Sequence, residues 1–397
     1  MAGDVKNNKN NNEVIDLESL STDRYERQKR ISWWDQDILK NARVLVVGAG
    51  TIGNEICKNL ALIGIGEIWV ADNDTVEMVN LNRSVLMRED DIGREKAEVV
   101  VKHIKNLNSE VKVVPLNANV VWDIGAGFYR NFDVVFGGLD NREARIYVNK
   151  YCYMTGTPWI DAGIQGLRGR VMVINPPDSS CYECTFSEQD YMLLSIKYSC
   201  PGLPVEDLIE GKVPMVATTA SVIAGIQVQE ALQLLHKRKS SIEGKELYFN
   251  GNLNEISIYE IKKREGCLGH FYLNNLIKLS ITVENTLKEL KEEIKNKINE
   301  GNKNFNNFVV MHDKELAYQS ICHSCNSEKE ILKPVGQITE KEAYCECGEM
   351  LGFETSSELK HDDMTLKDHH IPPMHVLTVQ SNDEIYYVEL SDKMDGL

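Results

Sequence analysis

A glycine-rich turn between two short apolar runs constrains the fold of this chain more than any other feature of its sequence. Residues 44–47 are a β-branched run, short enough to be a buried parallel strand. The run empties into Gly48-Ala49-Gly50-Thr51-Ile52-Gly53. Residues 54–63 then read as a helix, and residues 68–71 read as a second buried strand ending at Asp72. The stretch 42–83 is thus expected to be a βαβ unit. Its glycines let backbone amides approach an anion, and its helix N-terminus favours a phosphate. An acid about twenty residues further on suits a ribose hydroxyl. A glycine turn with no ligand is the alternative.

Such a unit alone suggests a nicotinamide dehydrogenase, but the next residues point elsewhere. Asp74, Asn80 and Arg83 follow Asp72, and Gly93-Arg94-Glu95-Lys96 comes soon after. A guanidinium, an ammonium and a carboxamide beside a nucleotide suit a triphosphate attacked at its α-phosphorus, where developing charge needs fixed cations. Hydride transfer has no such need. Ordinary surface charge is the other reading of Arg83 and Lys96, and spacing alone leaves it open.

The run D-x-D-x-V-x-x-x-N-L-x-R (residues 72–83), then G-x-x-K (93–96), then Leu139-Asp140-Asn141 at a strand end, resembles one family. It is the adenylyltransferase family that activates ubiquitin and the bacterial sulfur carriers of molybdopterin and thiamine synthesis (ThiF/MoeB type). Within what the resemblance implies, the activating enzyme of a bacterial ubiquitin-like conjugation operon is one expected identity. The resemblance runs over residues 25–270 and implies specific roles. Gly48, Gly50 and Gly53 would form the nucleotide turn, and Asp72 would hold the ribose. Asn80, Arg83 and Lys96 would hold the triphosphate. Asp140 would handle magnesium and the α-phosphate, with Asn141 beside it, and Asp74 is implied in the same pocket. In the family the second arginine of R-Y-x-R-Q reaches the ATP site of the other subunit. That makes Arg27 a candidate arginine finger and implies a homodimer.

The net charge of −16 argues against general nucleic-acid binding, which needs a basic face. No apolar run is long enough to span a bilayer. The first twenty residues are Asn/Lys-rich and lack the charged and apolar regions of a signal peptide, so they read as a disordered tail of a cytoplasmic protein. The ten cysteines fall mostly in close pairs, which suggests metal rather than disulfides.

Cys181-x-x-Cys184 and Cys267-x-x-His270 supply four ligands of the kind that hold tetrahedral zinc. The family usually has Cys in all four places, so His270 is a departure, but imidazole is an ordinary zinc ligand. A redox pair or unrelated thiols are the alternatives. In the family the loop at 185–214 crosses over the adenylate and carries a cysteine that takes the activated carboxyl. Cys200 stands there, and a thiolate is a good nucleophile toward an acyl adenylate; a loop cysteine without function is the other reading. Residues 216–235 read as a long apolar helix, and Cys57 and Cys152 as core thiols.

Past residue 270 the resemblance ends. Residues 277–283 read as a strand and 286–298 as an amphipathic helix. Cys322, Cys325, Cys345 and Cys347 are a candidate second zinc site. The short spacing of the second pair leaves His323, His361 or His369 as a substitute ligand. Residues 365–379 faintly resemble the late part of a ubiquitin-like fold.

The expected architecture is α/β, a Rossmann-like doubly wound mixed sheet with structural zinc, plus a small C-terminal α+β domain. The expected division is a tail at 1–20, an adenylation domain at 21–270 and an appended domain at 271–397. The resemblance implies an adenylyltransferase using ATP, Mg2+ and Zn2+. Its partners would be a ubiquitin-like or sulfur-carrier protein with a C-terminal glycine and a conjugating enzyme, with no nucleic acid and no membrane. Other readings are a sulfur-carrier adenylyltransferase, a tRNA-modifying relative and a non-catalytic or nicotinamide-binding Rossmann scaffold.

Overall fold

The apolar runs become strands because each is long enough to cross a sheet and carries branched side chains on both faces. The computed structural model describes residues 23–191, 214–273, 276–299, 305, 307–381 and 384–394. The initial tail and Cys200 lie outside the described residues. Two short helices, α1 (Glu26–Lys29) and α2 (Gln36–Asn41), precede β1 (Arg43–Val47). Then α3 (Thr51–Ile63), β2 (Glu67–Ala71), α4 (Lys96–Leu107), β3 (Lys112–Leu116), the short α5 (Ala126–Tyr129) and β4 (Val134–Gly137) alternate. Helix α6 (Arg142–Thr155) leads to β5 (Trp159–Gln165), β6 (Arg168–Ile174), α7 (Ala217–Leu235), β7 (Lys245–Asn250) and β8 (Glu255–Glu260).

These eight strands form one sheet in the order β3-β2-β1-β4-β5-β6-β7-β8. The first five are parallel and the last three run antiparallel, the mixed pattern expected. The strand order reverses at β1, which lies between β2 and β4. That reversal opens a crevice at the carboxyl ends of the strands, where ligands of such sheets bind. One core, with Ile56, Leu60 and Ile223, packs α3, α4 and α7 on one face. A second core, with Phe128, Tyr151 and Trp159, packs α5 and α6 on the other. Gln227 of α7 donates from Nε2 to the Gly137 and Ile160 carbonyls, each at 2.9 Å, and so ties that helix to the ends of β4 and β5.

A second sheet follows, built from β9 (Leu276–Lys278), β10 (Val309–Ile321), β11 (Glu328–Pro334), β12 (Gly352–Glu358), β13 (Val376–Ser381) and β14 (Glu384–Glu389). Its order is β11-β10-β13-β14-β9, with β12 also on β10. Helix α8 (Leu287–Asn299) lays Leu287, Leu290, Ile294 and Ile298 on its core, the spacing of one helical face. The strand expected at 277–283 is corrected: β9 stops at Lys278, where its parallel partner β14 ends at Glu389. Leu279, Ile281 and Val283 still point into the core, and two backbone bonds carry the pairing a little further: the Leu279 N–H donates to the Glu389 carbonyl at 3.0 Å and the Ser391 N–H to the Ile281 carbonyl at 2.8 Å.

The two sheets meet through α5 and α6. The Gly127 N–H donates to the Met374 carbonyl at 2.9 Å, and Arg130 pairs with Glu389. Lys150 Nζ stands 2.8 Å from Asp313 Oδ2.

Candidate nucleotide site and metal clusters

The first helical turn after β1 begins at Thr51, three residues earlier than the apolar pattern predicts, so Gly53 sits inside it. A Cβ at Gly53 would lie 1.8 Å from the Gly48 carbonyl oxygen. Gly48 itself has φ +92°, and a Cβ there would lie 2.6 Å from the Gly138 oxygen. Two backbone crossings therefore require glycine, and they bring the β1 and β4 loops together.

Around that crossing opens a cavity of about 510 Å³. Gly48, Gly50, Asp72, Asp74, Asn80, Arg83, Lys96, Asp140 and Asn141 all line it, although they come from five separate segments. Asp72 accepts from the Ala49 N–H at 2.6 Å and from the Asp74 N–H at 2.8 Å. Burial pushes its carboxyl above the usual range, and those two bonds only partly offset this. Lys96 Nζ stands 2.7 Å from Asp74 Oδ2; the lysine side chain is 12% exposed and the aspartate 62%. Arg83 donates to the Val79 carbonyl and to Asn82 Oδ1, so its guanidinium is folded onto its own turn. Asn80 Oδ1 accepts from the Glu77 N–H at 2.9 Å. Asp140 is exposed at the tip of β4, ahead of α6.

Arg27 lies elsewhere. It sits on α1 with its side chain 92% exposed and lines no part of this cavity.

Sequence reasoning missed the buried base of the site. Arg145 of α6 donates from Nη1 to Asp161 Oδ2 at 2.7 Å and from Nη2 to the Leu139 carbonyl, directly behind Asp140. Arg170 adds a second guanidinium 3.4 Å from the same Asp161 oxygen. The available signal was Asp161 itself, an acid inside the apolar strand β5, since a buried carboxylate demands a partner.

Residues 25–269 match the ThiF family. The chain belongs to the ThiF family. A ubiquitin-activating enzyme E1-like protein of Saccharomyces cerevisiae is 37% identical over 179 residues, 44% of this chain and 28% of that protein. The SAMP-activating enzyme E1 of Haloferax volcanii is 32% identical over 250 residues, 60% of this chain and 84% of that protein. In other curated relatives the chain spans as little as 22% of the relative's length. The crystal structure of E. coli MccB with ATP superposes with a TM-score of 0.53 at 27% identity, covering 64% of this chain and 75% of that one.

Two clusters gather the paired cysteines. The ligand atoms of Cys181, Cys184, Cys267 and His270 lie within 4.8 Å of one another. Cys181 Sγ is 3.9 Å from Cys184 Sγ and 3.7 Å from Cys267 Sγ. Those separations match the edge of a tetrahedron with zinc–sulfur bonds of about 2.3 Å. The Arg264 N–H donates to Cys184 Sγ, the outer support such ligands usually have. The sulfurs of Cys322, Cys325, Cys345 and Cys347 also converge within 4.8 Å. None of the three candidate histidines belongs to that cluster, so the short spacing of its second pair needs no substitute ligand. Both ring nitrogens of His369 meet backbone carbonyls, those of Thr365 and Lys360. Cys57 and Cys152 are fully buried, and burial pushes both thiols up, as core packing requires.

His312, Asp313 and His375 form a third convergence at the junction between the sheets. Here Lys150 and Lys314 already stand 2.8 Å and 3.8 Å from the Asp313 carboxylate. A divalent cation would add charge to a site already compensated, so this cluster is an ion-pair junction.

Among the described residues no helix is long and apolar enough to cross a membrane.

Proposed function

We propose that this chain adenylates the C-terminal glycine of a ubiquitin-like protein and passes the acyl group to Cys200 for transfer to a conjugating enzyme. One observation carries the reading. Gly48 and Gly50 of the glycine turn, Asp72, Asn80, Arg83, Lys96 and Asp140 line a single cavity that Gly53 does not line, although the sequence separates them by up to 92 residues (48 to 140). The names of the ThiF relatives support it.

Asp72 holds the ribose, and the amides of the Gly48–Gly53 turn face the phosphates. Asn80, Arg83 and Lys96 neutralise the triphosphate as charge develops on the α-phosphorus. Lys96 leaves Asp74, and Arg83 leaves its own turn, to do so. Asp140, exposed beside the α-phosphate position, would hold the magnesium that shields the phosphates. A carboxylate oxygen of the carrier attacks the α-phosphorus; the bond to the β-phosphate oxygen breaks and pyrophosphate leaves. The Cys200 thiolate then attacks the acyl carbon and AMP leaves, giving a thioester. The two cysteine clusters would each hold a structural zinc ion: the first would staple the segment after β8 to residues 181–184, the second would close the ends of β10 and β12. In a homodimer, Arg27 is free to reach the partner's cavity.

Pyrophosphate–ATP exchange that depends on a ubiquitin-like protein ending in glycine tests the first step. Its absence, with binding of NADH in place of ATP, refutes the reading. A reductant-sensitive adduct lost in Cys200→Ala tests the second. Exchange that persists without any such adduct in the wild type points instead to delivery to a sulfur donor.

A further inference from the structure

Among the described residues, the chain beyond β8 reaches the nucleotide cavity at Trp122. We propose that the C-terminal module, residues 276–394, completes the base end of this cavity by clamping Trp122 through Lys314 and Gly336. The proposal rests on the nucleotide reading above and assigns it a further part.

The segment in question leaves β3 beside the ribose acid, because the Asp72 N–H donates to the Leu116 carbonyl at 3.1 Å. Ala118, Asn119, Val120, Val121 and Trp122 then line the cavity. None of them is charged, whereas Arg83 and Lys96 mark the phosphate end. An apolar wall ending in an indole suits the flat face of a base. The turn is held in shape by Asn119, whose carbonyl accepts from the Trp122 and Asp123 N–H groups and whose Oδ1 accepts from the Val121 N–H.

The indole packs against the core beneath α5 and α6, and the appended module adds two further contacts to it. Lys314 Nζ of β10 stands 5.3 Å from the centre of its ring, within cation–π range. A Cβ at Gly336 would come within 2.8 Å of Trp122 Cη2 and 2.9 Å of Cζ2, so the turn at Val335–Gln337 presses bare backbone against the ring. Lys314 is itself held in place. Its ammonium lies 3.8 Å from Asp313 Oδ1, 3.4 Å from the Tyr151 hydroxyl and 5.0 Å from the centre of the Tyr147 ring. Asp313 is anchored in turn by Lys150 at 2.8 Å and the Tyr151 hydroxyl at 2.9 Å. Lys150, Tyr151 and Tyr147 all belong to α6, the helix that begins two residues after Asp140. The junction between the sheets therefore connects the wall of the cavity with the helix behind its acidic tip. Trp122 touches the base; Lys314 and Gly336 are positioning residues.

Calorimetric titration of the full chain with Mg-ATP, and separately with inorganic triphosphate, tests this. Gly336→Ala pushes a methyl against the ring from an exposed turn, and Lys314→Met removes the ammonium while keeping the stem. Each is expected to weaken Mg-ATP about tenfold while triphosphate binding stays within about twofold. Trp122→Leu is expected to give the same split without altering the module, which covers the case in which Lys314→Met fails to fold. Wild-type protein that binds Mg-ATP, with Gly336→Ala and Trp122→Leu binding it equally well, overturns the clamp. Equal loss of both ligands overturns it too, because that is damage to the whole pocket. A wild type that binds neither ligand overturns the nucleotide reading and the clamp together.

Discussion

The Asn141 carboxamide oxygen accepts the Ala144 N–H at 2.8 Å and so caps α6, while the same residue lines the cavity. Its substitution mixes two effects. Asn141→Ala is expected to cost about 1 kcal/mol of stability through the lost cap, and Asn141→Asp to restore it, as thermal unfolding would show. Asp140 next to it is exposed and caps nothing, so Asp140→Ala is expected to leave the melting temperature unchanged and abolish AMP formation. Arg83→Ala and Lys96→Ala are each expected to lower pyrophosphate exchange about 10²- to 10³-fold, the usual loss when one group stabilising a transition-state charge is removed. Exchange at the wild-type rate in either variant refutes their role. That these four residues line one cavity is what the family resemblance implied, whereas spacing alone left ordinary surface charge open for Arg83 and Lys96. Arg145 was not legible, because its importance comes from Asp161, sixteen positions away and in contact only through the fold.

At the scale of elements, the turn between β1 and α3 depends on the absence of a side chain. Gly53→Ala places a Cβ 1.8 Å from the Gly48 oxygen, so the turn must open. The expected result is destabilisation of about 1–3 kcal/mol in denaturant unfolding, together with lost Mg-ATP binding. The cysteine clusters make a separate prediction. Two clusters predict two zinc ions per chain by elemental analysis, with one lost in Cys267→Ser and the other in Cys345→Ser. Intact metal content in either variant refutes that cluster as a zinc site. The elements themselves were largely legible: α7 spans Ala217–Leu235, within one residue of the apolar helix read at 216–235. The strand read at 277–283 stops at Lys278 because its partner β14 ends at Glu389; alternation reports which way side chains face and not how far the neighbouring strand runs.

For the whole molecule, the junction between the two sheets should be sensitive to acid. Burial pushes His312 down to about 3, and it pushes His375 down as well. Both are therefore neutral in the folded protein over a range where the unfolded chain, titrating near pH 6.5, takes up protons. Stability is then complete above about pH 6.5 and falls as the pH drops below it, by at most about 1.4 kcal/mol per pH unit for each histidine. Burial raises the Asp313 carboxyl, but Lys150, Lys314 and the two histidines outweigh it and hold the group well below the ordinary range. Its contribution is lost only as the pH falls through that depressed value, so the histidines set the onset. Melting temperature measured from pH 8 to pH 5 should decline below 6.5, with a shallower decline in His312→Gln. A flat profile in the wild type refutes the assignment.

What the sequence by itself determined is local and periodic: a strand, a glycine turn, a helix, the polar residues set at fixed distances behind them, and cysteines in pairs. Each is fixed by steric rules or ligand geometry that act within a few residues. The tertiary structure alone decided that Asp161 would lie between Arg145 and Arg170, that four cysteines would close the second cluster without a histidine, and that Lys314 and Gly336 would meet Trp122. Those contacts join residues up to 214 positions apart (122 to 336). No local preference of either partner encodes such a meeting, because the free energy that holds it appears only when the chain has closed on itself and buries distant surfaces together.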